Sequence, residues 1–177
     1  MYHVIEEGLN GRTIASDDPY SDGRNGRAYL LPCLWSHAPV DIVTIMLGTN
    51  DLKDTFDLTA SDIARGARLM VDLARQSLAG PGGAVPRVLL IAPAPLGPVG
   101  SIAASSGLAG AVGRSRELGA LYQEVAGSAA ADFLDAGQVV AVSELDGIHL
   151  DASAHQTLGL TIARRIQSWR GFGTDGV

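Results

Sequence analysis

Cysteine is almost absent from this sequence: Cys33 is the only one among 177 residues. One thiol excludes an intrachain disulfide and any multi-cysteine zinc site. Runs of basic charge are missing as well. Nothing longer than the pair Arg164-Arg165 occurs, and 13 basic against 19 acidic side chains leave a formal charge of −6. Such an excess of carboxylates repels phosphate backbones and anionic lipid, so neither nucleic acid nor a membrane is expected as a partner. The one uncharged stretch long enough to cross a bilayer, residues 88–113, contains Pro93, Pro95, Pro98 and several Gly and Ser residues that would break a spanning helix. Met1-Tyr2-His3-Val4-Ile5-Glu6-Glu7 has neither the basic start nor the apolar centre of a secretory leader, which makes the cytoplasm the expected location. No repeat, linker or low-complexity segment divides the chain.

What is present suits one globular domain. Hydrophobic residues make up 46% and charged ones 18%, enough apolar surface to offset the entropy of ordering the chain. Val4-Ile5, residues 41–47, Arg87-Val88-Leu89-Leu90-Ile91 and, more weakly, Phe133-Leu134-Asp135-Ala136-Gly137 read as buried strands, each closed by a Gly, Pro or Asn turn. Helical patterns lie between them. Ile63, Ala67, Met70 and Ala74 keep helical spacing behind a Thr59 N-cap, with Leu58 and Ile63 in the staple positions. Leu118, Leu121, Tyr122 and Val125 mark a second helix, and Leu158, Ile162, Ile166 and Trp169 a third that Asp151 can cap. Strands alternating with helices of this length predict an α/β fold with a parallel sheet covered on both faces. In such folds ligands bind at the carboxyl ends of the strands.

Four segments fall at those ends, residues 8–13, 48–51, 93–106 and 143–151, and three of them hold residues that could carry chemistry. Asp146-Gly147-Ile148-His149 sets a carboxylate three residues before an imidazole, a spacing at which the carboxylate can accept the ring Nδ1–H and leave Nε2 free as a base. The same residues also make an ordinary Asp/Gly turn with a surface histidine. Gly48-Thr49-Asn50-Asp51 delivers an Asn amide, a natural oxyanion donor, to the rim of the sheet, or forms a plain Asx turn braced by Asp51 and Asp54. Gly8-Leu9-Asn10-Gly11 exposes backbone N–H groups after the first apolar pair. His3, His37 and His155 show no mutual metal-ligand spacing, so no metal and no cofactor are expected, and each takes a turn or helix-face role. Cys33, inside the apolar run of residues 29–35, reads as a buried small hydrophobe. Trp35 and Trp169 read as core or interface residues.

Taken in order, these blocks resemble the SGNH or GDSL-type serine hydrolases, and within them the short bacterial aryl esterases and acyltransferases. Glu6-Glu7-Gly8-Leu9-Asn10-Gly11-Arg12-Thr13 is similar to the family's glycine block. Ile45-Met46-Leu47-Gly48-Thr49-Asn50-Asp51 is similar to its asparagine block, and Asp146-Gly147-Ile148-His149-Leu150 to its aspartate–histidine block. The resemblance implies a flavodoxin-like three-layer α/β/α sandwich. It further implies hydrolysis of a small-molecule carboxylic ester, with Gly8 N–H and Asn50 as oxyanion donors, His149 as general base and acid, and Asp146 orienting it.

One block of that family is not in this sequence. A strand ending in Gly-Asp-Ser, followed by a helix, supplies the family's nucleophile ahead of the glycine block; here seven residues precede Gly8, and neither Gly-Asp-Ser nor a Gly-x-Ser-x-Gly elbow occurs. The expectation is thus a single domain over residues 1–177 that lacks the first family strand and its helix. By the resemblance that strand would lie between residues 3–7 and 41–47. Either residues 3–7 pair directly with 41–47, or a second chain in a homo-oligomer covers the exposed edge. Ser16, Thr49, Ser101, Ser105 and Ser106 are the loop hydroxyls that could substitute for the nucleophile, and a water activated by Asp146 and His149 is the other route. Three readings follow: an ester hydrolase, a scaffold that binds esters without turning them over, or an assembly module built on the exposed edge.

Overall fold

The computed structural model describes residues 2–98 and 105–169. Within them, three parallel strands, β1 (Ile42–Ile45), β2 (Arg87–Ala92) and β3 (Asp132–Asp135), pair in the order β1-β2-β3. Val43 stands opposite Val88 and Ile45 opposite Leu90; on the other side Leu90 faces Phe133. Among the described residues four helices have defined bounds and flank the sheet: α1 (Gly26–His37), α2 (Ala60–Gln76), α3 (Ala111–Ser128) and α4 (Ala152–Gln167). The order β1-α2-β2-α3-β3 is a pair of crossover units, the connection parallel strands require.

The alternation of β2 divides the core in two. Val88, Leu90 and Ala92 pack with Val43 and Ile45 against Ile63, Ala67 and Met70 of α2 and Leu118 and Tyr122 of α3. Leu89 and Ile91 point the other way, onto Leu158 of α4 and Trp169. The result is the three-layer α/β/α arrangement expected from the strand and helix pattern. No residue from Val88 to Ala92 is more than 2% exposed. Each buried Val, Leu or Ile of that kind contributes about 1.5–3 kcal/mol, which is why a central parallel strand reads as one unbroken apolar run.

The helix ends follow their sequence signals. Thr59 caps α2 through a full capping box: its hydroxyl accepts the Asp62 N–H at 3.1 Å, and the Asp62 carboxylate accepts the Thr59 N–H at 3.0 Å. Asp151 accepts the Ala154 N–H at 2.7 Å and starts α4. Helix α1 has no clear apolar period and contains Pro32, so the run of residues 29–35 hid it; the Asn25 side chain, which accepts the Ala28 N–H, marks its start. Trp35 on this helix is 59% exposed and belongs to no core cluster, while Trp169 is 5% exposed as expected. Cys33 is half-buried rather than buried.

The amino-terminal segment departs from expectation. Residues 3–7 form no strand, Val4 and Ile5 are exposed, and among the described residues β1 has β2 as its one partner. Direct pairing of 3–7 with 41–47 is therefore overturned. The cause is a set of polar ties to another element. The Glu7 carboxylate is held by Tyr29 Oη at 2.5 Å and His37 Nε2 at 2.6 Å, both on α1, and these contacts draw the segment to that helix. Among the described residues no helix is long and apolar enough to cross a membrane.

Candidate active site

The carboxyl end of β1 runs into Leu47 and Gly48. Tyr122, fully buried on α3, donates its Oη–H to the Leu47 carbonyl at 2.8 Å, fixing where the chain turns off the sheet. Gly48 makes that turn at φ +125°, where a Cβ would also lie 2.5 Å from Tyr122 Oη. Only glycine fits both conditions. The turn presents Asn50, half-buried, and Asp51, 1% exposed.

These two side chains tie the asparagine segment to the glycine segment. Asn50 Nδ2 donates to the Arg12 carbonyl at 3.2 Å, which leaves its second N–H unused by that bond. Asp51 accepts the Ile14 N–H on both carboxylate oxygens, at 2.9 and 3.1 Å. Burial pushes the Asp51 carboxyl up to about 6, although the Ile14 bond opposes that rise. Asp51 therefore braces the neighbouring segment. Residues 9–12 form a tight turn in which Arg12 N–H donates to the Leu9 carbonyl at 3.1 Å and Gly11 takes φ +76°. The Thr13 and Ile14 carbonyls then accept the first N–H groups of α1, from Gly26 at 3.0 Å and Arg27 at 2.8 Å. Gly8, at the exposed start of this segment, donates its N–H to no protein group among the described residues.

The Asp146–His149 pair forms after β3. Asp146 Oδ1 accepts the N–H groups of Ile148 at 2.8 Å and His149 at 2.9 Å, while Oδ2 lies 2.7 Å from His149 Nδ1. The His149 hydrogen bond, with the two backbone donors behind it, holds the Asp146 carboxyl down at about 2. An ionised carboxylate on Nδ1 leaves Nε2 as the basic nitrogen. The turn is locked from behind: Gly147 has φ +71°, its carbonyl accepts the Gly97 N–H at 2.9 Å, and a Cβ there would stand 2.8 Å from the Pro98 carbonyl. Nε2 has no hydrogen-bond partner among the described residues, and the side chain is 69% exposed. A groove of about 690 Å³ runs beside this turn, along residues 139–145 and the first turn of α4.

The segments following β1, β2 and β3 leave the sheet at the carboxyl ends of its strands, and the Gly97–Gly147 bond ties the Asp146–His149 turn to the segment after β2. No hydrogen bond joins Asn50 to that turn among the described residues. Of the hydroxyls weighed as nucleophiles, Ser101 lies outside the described residues, and neither Ser16 nor Thr49 bonds to His149. His155 sits on α4, as its spacing from Asp151 implied. His37 is the exception among the histidines: Glu7, Cys33 and His37 place one ligand atom each within 4.8 Å of one another. Sequence spacing could not reveal this cluster, because Glu7 comes from a distant segment.

Comparison with known proteins points the same way. Residues 2–157 match the GDSL-like Lipase/Acylhydrolase family. The native aryl esterase of M. smegmatis superposes with a TM-score of 0.88 at 38% identity, over 94% of this chain and 78% of that one. Est24, a carbohydrate acetylesterase from Sinorhizobium meliloti, gives 0.89 at 39% identity, over 94% and 78%. No curated protein matches the chain.

Proposed function

The chain belongs to the GDSL-like lipase/acylhydrolase family, and on that premise we propose that it hydrolyses small acyl esters of aryl alcohols or carbohydrates, using Asp146 and His149 with Gly8 and Asn50. The observation that carries the reading is the 2.7 Å bond from Asp146 to His149 Nδ1, on a turn with Nε2 unpartnered. His149 Nε2 takes the proton of an attacking hydroxyl or water as its oxygen bonds to the acyl carbon. The carbonyl oxygen becomes an oxyanion, held by the Gly8 N–H and the free Asn50 N–H. When the tetrahedral intermediate collapses, the bond to the leaving oxygen breaks and His149 returns its proton to the alcohol. After attack by water the acid is released directly. After attack by a hydroxyl a water, deprotonated by His149, adds to the acyl-enzyme, whose collapse frees the acid and restores the hydroxyl. The substrates named for the two relatives, aryl esters and acetylated carbohydrates, set the class of ester to try first.

A second reading is favoured by one observation, that His149 Nε2 meets no hydroxyl among the described residues: a scaffold that binds such esters without cleaving them. The rate of hydrolysis of an activated acetyl aryl ester separates the two. The catalytic reading expects His149→Ala and Asp146→Asn to lower kcat by about 10²–10⁴-fold, the usual worth of a positioned base, with folding intact. Equal, near-background rates in wild type and His149→Ala refute it. Ester binding without turnover then supports the scaffold, and a concentration-dependent mass with neither property supports an assembly module.

A further inference from the structure

We propose that Glu7, Cys33 and His37 form a binding site for a zinc-class divalent ion, independent of the hydrolase reading. Cys33 and His37 are i and i+4 on α1, so the helix turns both onto one face. Glu7 meets them from the extended amino-terminal segment. The three ligand atoms lie within 4.8 Å of one another, and all three residues are half-buried, reachable by an ion and by a water on its open side. A tetrahedral ion with bonds of about 2.0–2.3 Å spaces its ligands about 3.5 Å apart, so side-chain rotations of about an ångström close the site. Glu7 also has an outer partner: Tyr29 Oη donates to its Oε2 at 2.5 Å and orients the carboxylate.

The surroundings select the kind of ion. Arg12 lies over the Tyr29 ring at 4.2 Å, with Nε and Nη1 buried and unbonded among the described residues, so a positive charge stands beside the cluster. Magnesium and calcium are held by oxygen ligands and charge, and this site offers one carboxylate against a neighbouring guanidinium. Zinc and cobalt bond to thiolate and imidazole and tolerate that neighbour. Without the ion, His37 Nε2 rests on Glu7 Oε1 at 2.6 Å, a contact the metal replaces. Binding releases the Cys33 thiol proton, and the thiolate and carboxylate balance the two charges of the ion. The site would join the segment just before Gly8 to α1.

The test uses Co²⁺ as the probe on the whole, chelator-treated chain. Because Cys33 is the only cysteine, any thiolate-to-cobalt absorption comes from it. The expected result is a charge-transfer band that saturates at one Co²⁺ per chain and is erased by Zn²⁺. Cys33→Ser should abolish the band, and His37→Ala and Glu7→Gln should weaken Co²⁺ binding by about tenfold or more, with unchanged circular dichroism. A second measurement needs no variant: Zn²⁺ should slow the reaction of the wild-type thiol with a disulfide reagent. No band in the folded wild type, Co²⁺ binding without a thiolate band, an unprotected thiol, or equal affinity in the His37 and Glu7 variants would each overturn the proposal.

Discussion

Gly48→Ala tests how the fold holds the asparagine segment. At φ +125° an L side chain is strained, at a cost of about 1–3 kcal/mol. The added Cβ would also stand 2.5 Å from Tyr122 Oη. A tyrosine tip often swings aside, but this ring is fully buried and its hydroxyl is bound to Leu47 O at 2.8 Å. Overpacking of that kind adds about 1–3 kcal/mol. The variant should therefore lose about 2–6 kcal/mol, a large share of the roughly 5–15 kcal/mol that holds a domain together. Tyr122→Phe alone should cost about 1 kcal/mol, for one lost hydrogen bond. In the double variant the clashing oxygen is gone while the φ strain stays, so its loss should fall short of the sum by about 1–3 kcal/mol, within the range seen for contacting residues. Urea unfolding of all four proteins, followed by far-ultraviolet circular dichroism, reads the cycle. A Gly48→Ala stability within about 0.5 kcal/mol of wild type, or strict additivity, would refute the argument.

The buried Asp51 carboxyl, raised from 3.8 to about 6, gives stability a pH signature. Between those values the unfolded chain ionises first and binds fewer protons, so stability should fall as pH rises from about 4 to 6, by about 3 kcal/mol from this group; Asp51→Asn should flatten that slope, and equal slopes in the two proteins would exclude the assignment. Thr59→Ala removes the capping box of α2 and should lower stability by about 1 kcal/mol, read as a shift in the urea midpoint at constant m value. Gly147→Ala places a Cβ 2.8 Å from the Pro98 carbonyl at φ +71° and should displace the Asp146–His149 turn. Its kcat for ester hydrolysis should fall to the level of His149→Ala, and an unchanged kcat would show that the turn is not held from behind.

Where the sequence was legible, a local rule and the tertiary context agreed. Thr59, Leu58 and Ile63 announce α2 because capping and stapling act within one turn, and residues 87–91 announce the central strand because both of its faces are buried. Asp146 and His149 were legible for the same reason: a carboxylate three residues before an imidazole closes on it through local turn geometry. Helix α1 was not, since Pro32 and an unbroken apolar run hide its period. Residues 3–7 failed differently. Val4-Ile5 has the composition of a strand, yet Glu7 is bound by two side chains of α1, more than 20 positions away. The Glu7–Cys33–His37 cluster arises from the same long-range contacts, which no spacing rule encodes.

Asp51 and Asp146 show how one fold gives two carboxylates opposite tasks. Asp51 is walled off from water, and the Ile14 N–H on both of its oxygens, with its own backbone N–H, only partly offsets that burial, so its charge is disfavoured and its carboxyl is pushed up to about 6. Its task is to fasten residue 14 to the end of β1, which needs an acceptor and works in either protonation state. Asp146 is half-buried and accepts two backbone N–H groups besides the imidazole, and its carboxyl titrates near 2. It therefore stays ionised throughout the range in which Asp51 changes charge. A carboxylate ionised over that range favours the imidazole tautomer with Nδ1 protonated and Nε2 open. The two shifts follow from one difference, the number of N–H donors offered to each carboxylate against the water taken away from it. On the proposed reading, the donor-rich carboxylate beside the histidine would orient a base and the buried one beneath the asparagine would anchor an oxyanion rim, so a substitution at Asp146 should register in kcat and one at Asp51 in stability.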